Sequence, residues 1–395
     1  MKKTLILSMS LLMAWGVYAQ KETKGYKFSV VKENPSTSIK NQGNSGTCWS
    51  FSGVGFLESE ILRMGKGETD LSDMYIVRRN YADKALKYVR TGGNINFAQG
   101  GSFADVVETL NEYGVLPETA YQGLSYGETT HKHSEMEKAL SGYVSAINAN
   151  PNRRLSTAWY NGFNAVLDAY MGVVPTQFEI SGKTYTPQEY AKSLGLDADN
   201  YISLTSYTHH PFYKPFAIEI PDNWRWALSY NLPADEMMQV LDNAISNGYT
   251  IAWATDVSEN GFTRDGLAVI PDDNDPENIG SDQAHWLGLS QTERNNRIKN
   301  KIGEGPVKEK NITQEMRQIA FDNRETTDDH GMQIYGIAKD QNGTKYYMVK
   351  NSWGETGKYK GIWYASEAFV KYKTMSVVIH KDALPTSIAN KLNIK

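Results

Sequence analysis

The sequence predicts an α+β fold, a helical front half followed by a strand-rich back half. Two stretches carry this reading. Between Cys48 and Met64, the apolar residues Phe51, Val54, Leu57 and Ile61 recur at three- and four-residue spacing, as one helix face requires. Between His330 and Lys350, two runs with strand character (His330–Ala338 and Lys345–Lys350) flank Asp340-Gln-Asn-Gly343, a hairpin turn sequence.

The elements follow in order. Lys2 and Lys3 open the chain, Leu5 to Val17 is mostly apolar despite Ser8 and Ser10, and Val17-Tyr-Ala19 ends the run. That pattern predicts a secretory signal peptide over residues 1–19 and an exported protein, periplasmic or extracellular. The run is too short and too polar for a membrane span. Lys21 to Lys40 is polar and extended. The Cys48–Met64 helix stops at Gly65-Lys-Gly67. A second helix covers Leu71–Val89 and ends at Gly92-Gly93. Gln99-Gly-Gly-Ser102 is a loop before a third helix, Phe103–Tyr113, closed by Gly114 and Pro117.

Residues 122–234 show helical spacing at Ser134–Ala146, Arg154–Ala169 and Pro187–Leu194 but carry no catalytic motif. They read as a largely helical insertion, a lid or an assembly surface. Beyond it, Asp235–Asn247 reads as a helix, and Tyr249–Asp256, Gly361–Tyr364 and Thr374–Ile379 as strands. The chain thus divides into a helical lobe at about 40–121, the insertion, a strand-rich lobe at about 235–380 and a short tail at 381–395. Ala383–Lys395 is expected to form a short helix.

Composition narrows the function. The 41 basic and 45 acidic residues nearly balance, at a formal net charge of −4. No basic excess offers a nucleic-acid surface. Twenty-four tyrosines and nine tryptophans suit a packed globule, not a disordered chain. One cysteine excludes any disulfide within the chain, so an exported protein carries a free thiol.

That thiol lies in Gln42-Gly-Asn-Ser-Gly-Thr-Cys48-Trp49, at a predicted helix start. Helix N-termini favour anions, which should lower a thiol pKa. Far downstream stand His330 and Asn351-Ser-Trp-Gly354. A histidine beside the cysteine would supply a thiolate–imidazolium pair and a proton for the leaving amine. Asn351 would orient His330 without adding charge. The Gln42 amide and the Cys48 backbone N–H would stabilise an oxyanion. Trp353 would shield the His–Asn bond.

Gln-x5-Cys-Trp, a Gly-Gly loop, His-Gly and Asn-Ser-Trp-Gly in that order resemble the papain-like cysteine peptidases over about residues 40–121 and 235–380. Ser45 stands where papain has a disulfide cysteine. Gln-x-x-Ser-Gly-x-Cys-Trp and the large insertion are similar to the bleomycin hydrolase and aminopeptidase C branch. The resemblance implies a two-lobed fold, with a helical and a β-barrel-like lobe. It implies hydrolysis of peptide substrates, often from the amino end, without a cofactor. Catalysis would use Cys48, His330, Asn351 and Gln42, and Gly100, Gly101, Trp49 and Trp353 would meet substrate. It also implies no inhibitory propeptide, and residues 20–41 form only a short stretch. Relatives form closed hexamers and are usually intracellular. Their C-terminal arm lies in the cleft, where its carboxylate grips the substrate amine. Residues 381–395 lack that arm's Pro- and Trp-containing sequence, so looser exopeptidase restriction is expected.

Other candidates are weaker. His131 with His133, and His209 with His210, lack a metal-site pattern and read as solvated, so no metal is expected. Asp272, Asp273, Asp275 and Glu277 lack calcium-loop spacing. Asn311 and Asn342 begin glycosylation sequons. Two other functional classes stay open on the same fold: a silent peptide-binding protein, and an acyl transferase using an amine acceptor.

Overall fold

The computed structural model describes residues 24–151, 154–272 and 290–394. The signal-peptide segment 1–19 and Asp273, Asp275 and Glu277 of the acidic turn lie outside the described residues.

Helix α1, Cys48–Arg63, forms the spine of the molecule. It is buried on nearly every side, so Ser50, Ser52, Glu58 and Glu60 are enclosed along with the expected apolar face. A helix enclosed all round sits between layers, not on a surface. Helices α2, Asp73–Arg90, and α3, Phe103–Tyr113, pack against it. α3 starts at a capping-box pair in which Asp105 Oδ2 accepts the Ser102 N–H at 2.8 Å and the Asp105 N–H donates to Ser102 O at 3.0 Å. Leu57, Ile61, Tyr75, Ala85, Phe163 and Leu167 belong to the core of this lobe. Leu57 and Ile61 are fully enclosed, and each such side chain contributes about 1.5–3 kcal/mol.

The insertion supplies helices α4, Ser134–Asn148, α5, Ala158–Met171, and α6, Pro187–Leu194. It also contributes strands, which corrects the expectation of a largely helical segment. β2, Phe178–Ile180, and β3, Lys183–Tyr185, form a small hairpin. β4, Tyr201–Thr205, β5, Pro215–Ala217, and β6, Leu228–Asn231, join the main sheet. They become strands because β4 pairs with β12, Thr374–His380, far along the chain.

The ten-stranded sheet runs β5-β6-β4-β12-β7-β9-β10-β11-β8, with β1, Ser29–Glu33, also on β9. β7 is Ile251–Thr255, β8 Leu267–Ala268, β9 His330–Lys339, β10 Lys345–Lys350 and β11 Ile362–Ser366. β9 pairs with β7 through its first half and with β1 through its second. Residues 24–41 therefore begin by extending this lobe. Helices α7, Ala234–Ser246, α8, Gln291–Glu304, α9, Gln314–Asp322, and α10, Glu367–Lys373, complete it. Its core includes Leu241, Trp253, Met332, Val349, Trp363 and Phe369.

The tail forms α11, Thr386–Leu392. Ile388 and Leu392 are buried in the same core as α7. Asn243 Nδ2 donates to Ala383 O at 2.8 Å, and Lys391 Nζ to Glu236 Oε1 at 2.6 Å. The tail helix is thus committed to α7.

Polar contacts lock the lobes together beneath the cleft. Ser52 Oγ donates to Gly331 O at 2.7 Å, and Gln333 Nε2 to Ser59 Oγ at 2.7 Å. Lys350 Nζ donates to Thr37 Oγ1 at 2.9 Å, and that hydroxyl donates to Glu58 Oε2 at 2.6 Å. Lys40 balances the buried Glu58 carboxylate at 2.7 Å.

Candidate active site

Cys48 is the first residue of α1 and is half-buried. Thr47 provides no side-chain cap. Among the described residues nothing accepts the Cys48 N–H, which leaves a donor beside the thiol. The backbone N–H groups of Gly331 and Trp49 lie near the sulfur and favour its thiolate. Gly331 follows His330 on β9, so the strand carrying the histidine lies against the helix carrying the thiol. A Cβ on Gly331 would fall 3.2 Å from the Trp49 Cα. A Cβ here would be tighter than ordinary contact, so the glycine lets strand and helix approach without strain.

His330 Nε2 lies 2.8 Å from Asn351 Oδ1, and both residues are buried. Asn351 Oδ1 also accepts the Ser352 N–H at 2.7 Å, so the histidine proton sits on Nε2 and Nδ1 is the basic nitrogen. Sheet register produces this pair. Lys350 pairs with Gln333 across β9 and β10, so Asn351 emerges beside the start of β9. The Trp353 ring covers His330 with centroids 4.7 Å apart.

Gln42 Nε2 donates to Ser45 O at 2.7 Å, while Gln42 Oε1 accepts from Ser352 Oγ at 2.6 Å. An amide nitrogen carries two hydrogens, so one remains for an oxyanion. Ser352 therefore orients the amide. It lies within the Asn-Ser-Trp-Gly motif, but sequence reasoning gave it no role.

Burial pushes the Cys48 thiol up to about 12, with the Asp328 and Asp222 charges adding to the rise and the Gly331 and Trp49 backbone donors opposing it. This runs against the lowering expected from the helix start, because burial outweighs the donors. Burial likewise pushes His330 down to about 4, opposed by its bond to Asn351. Each charge alone is disfavoured. Were the thiol proton passed to the imidazole, both charges would arise together and their attraction would offset part of that cost.

The Gly-Gly loop precedes α3. Lys84 Nζ donates to Gly100 O at 2.5 Å, and the Gly101 backbone packs so closely that an added Cβ would lie 2.8 Å from the Trp49 ring. Trp49 itself is buried and donates to Gln99 O at 3.0 Å. It supports the loop from beneath. Asp222 and Asp328, which sequence reasoning missed, belong to no local motif.

The expected solvated histidines differ. His131 and His133 are buried behind the nucleophile loop. Asn44 N–H donates to His131 O at 2.8 Å, and His133 N–H to Asn44 O at 3.2 Å. This backbone exchange fixes the turn before Cys48 and encloses both rings. Burial pushes each imidazole down to about 4. His209 and His210 instead lie partly exposed, 3.1 and 2.9 Å from the Glu219 carboxylate, and with it place ligand atoms within 4.8 Å of one another. Each imidazole bonds Glu219, and His209 Nδ1 also meets Gln318.

Two family models cover the two halves of this site. Residues 27–193 match the papain family cysteine protease model, and residues 310–395 match the peptidase C1-like family. The first span includes Gln42 and Cys48; the second includes His330 and Asn351. The chain belongs to the papain-like cysteine peptidases. It falls in their aminopeptidase C branch. It is 22% identical to aminopeptidase G of Lactobacillus delbrueckii subsp. lactis over 89% of this chain and 83% of that protein. Aminopeptidase C of the same organism is 22% identical over 91% and 83%. The crystal structure of PepW from Lactobacillus rhamnosis shares the fold with a TM-score of 0.70 and 18% identity, over 92% of this chain and 84% of that one.

Proposed function

We propose that this cysteine peptidase is exported and removes residues from the amino end of peptides. Cys48 attacks the scissile carbonyl, and His330 takes the thiol proton and returns it to the departing amine. Asn351 holds the imidazole, and the Gln42 amide with the Cys48 N–H receives the oxyanion. The acyl-enzyme is then hydrolysed. The observation that carries this reading is the buried His330–Asn351 bond at the start of a strand whose Gly331 backbone lies against Trp49, the neighbour of Cys48 at the head of α1. Export rests on the Lys2-Lys3 start and the apolar Leu5–Val17 run. No helix among the described residues is long and apolar enough to cross a membrane.

Mass spectrometry of products from matched unblocked and N-acetylated peptides tests the reading. Stepwise loss of N-terminal residues is expected from the unblocked peptide alone. Internal cleavage of both peptides at equal rates would refute amino-end specificity. Intact peptides, or acyl groups carried to an added amine in preference to water, would refute hydrolysis. For export, the mature chain should be recovered outside the cytoplasm, beginning at Gln20. Retention of the full-length chain inside the cell would exclude it.

A further inference from the structure

A carboxylate from the insertion sits against the Gly-Gly loop. The loop between β5 and β6 brings Asp222 onto Gly100 so closely that an added Cβ would lie 2.1 Å from Asp222 Oδ2. Asp222 Oδ1 accepts only a long bond, 3.3 Å, from Asn96 Nδ2. Among the described residues nothing donates to Oδ2. The carboxylate is half-buried and faces the Gly-Gly loop without a cation in contact.

The surrounding structure holds it there. Trp224 Nε1 and Arg225 Nε donate to the two oxygens of buried Asp105 at 3.0 and 2.8 Å. Arg225 Nη2 also bonds Asp83 at 2.7 Å. Asp105 is the capping-box residue of α3, so one carboxylate fixes the helix start, the Gly-Gly loop and the Asp222 loop together. A second carboxylate, Asp328, lies two residues before His330 and makes no hydrogen bond or ion pair among the described residues. The charges of Asp222 and Asp328 reach each other and the Cys48 thiol. Lys84, which donates to Gly100 O, is the cation whose field reaches Asp222, although it makes no ion pair with it. Burial, with the Asp222 charge adding, pushes Asp328 well above the usual carboxylate range.

We infer that Asp222, carried by the insertion, receives the N-terminal ammonium of the substrate and limits how many residues lie on the non-primed side. This inference rests on the amino-end reading above and names the group that enforces it. The tail helix, committed to α7, is not needed for the task. This reading would tighten the looser exopeptidase restriction expected from the short tail. An ammonium placed here gains a carboxylate partner that a blocked amine lacks.

The test pairs the enzyme's carboxylate with the substrate's ammonium. kcat/KM is measured for an aminoacyl fluorogenic substrate and its des-amino analogue, with the wild type and with Asp222→Asn. The wild type should prefer the free amine by at least about 100-fold, and Asp222→Asn should cut that preference by at least about 10-fold, in line with the loss of a close charge pair. Asp222→Glu, which keeps the charge, should retain a larger preference than Asp222→Asn. Circular dichroism and thermal midpoints check that each variant folds. If Asp222→Asn fails to fold, Asp222→Ser and Asp222→Glu carry the same comparison. A purely structural role would lower both substrates equally and leave the ratio intact. An intact ratio would overturn the inference while leaving the amino-end reading standing. A wild type without preference would overturn both.

Discussion

The two lobes place their catalytic groups by different means. In the strand-rich lobe, His330 and Asn351 meet because β9 and β10 pair in one register, and adjacent strands cannot slip without losing a ladder of backbone bonds. In the helical lobe, Cys48 has no such ladder. Its place depends on the Ser52 and Gly331 contacts across the interface and on the His131–His133 segment behind the nucleophile loop. A base and its orienter can thus be built into one sheet. The distance to the nucleophile depends on how the lobes dock.

Perturbing each lobe should expose that difference. The largest effect belongs to the nucleophile: Cys48→Ala should lower peptide hydrolysis by at least about 10³-fold with little change in thermal midpoint. Substantial residual turnover would rule out the thiol mechanism. Asn351→Ala comes next. It should cut kcat by about 10²-fold with KM nearly unchanged, because it loosens the base without touching substrate binding. An equal rise in KM would mean that Asn351 shapes the cleft instead.

Acid should load both lobes over the same window, since His330 in the sheet and His133 in the helical lobe are pushed down alike, and His133 can be removed without touching the catalytic base. The buried His133 stays neutral in the folded state down to about 4, whereas its ordinary value is 6.5. As pH falls below 6.5, the unfolded chain takes up a proton that the folded chain refuses. Stability present above 6.5 is therefore lost on the way down to pH 4, by about 3 kcal/mol at the end of the window. His133→Leu should make that decline shallower in urea unfolding, leaving the share of His131 and His330, and an unchanged pH slope would show that the ring is not a source. The smallest effect tests the docking. Gly331→Ala places a methyl 3.1 Å from the Phe103 ring and 3.2 Å from the Trp49 Cα, and should cost about 1–2 kcal/mol. A lower kcat without lower stability would mean that the lobes separate slightly and still fold.

Much of the site was legible in the sequence because its parts are local motifs. Gln42 to Trp49 and Asn351 to Gly354 each carry their own spacing. Phe103–Tyr113 and Pro187–Leu194 were read to the residue because their ends are written locally: Ser102 with Asp105, and Thr186-Pro187 with Glu189 and Gly195. β4 to β6 were not legible, since their strand identity depends on β12 more than a hundred residues away. α8 was missed because it is strongly polar and lacks a clear apolar stripe. The burial of His131 and His133 and the position of Asp222 also arise only from tertiary packing. Sequence patterns name the reacting groups; the fold determines what surrounds them.

The solitary thiol at the head of α1 has a practical consequence. A thiol reagent consumed by the folded chain reports on Cys48 and on no other sulfhydryl. An irreversible inhibitor can therefore be titrated against loss of reactive sulfur, giving a molar count of competent molecules in any preparation. A fluorophore attached through that sulfur would carry a known address, with no background to engineer away. The same economy leaves the chain exposed to a single lesion: one overoxidised sulfur atom would silence a whole molecule without altering its fold.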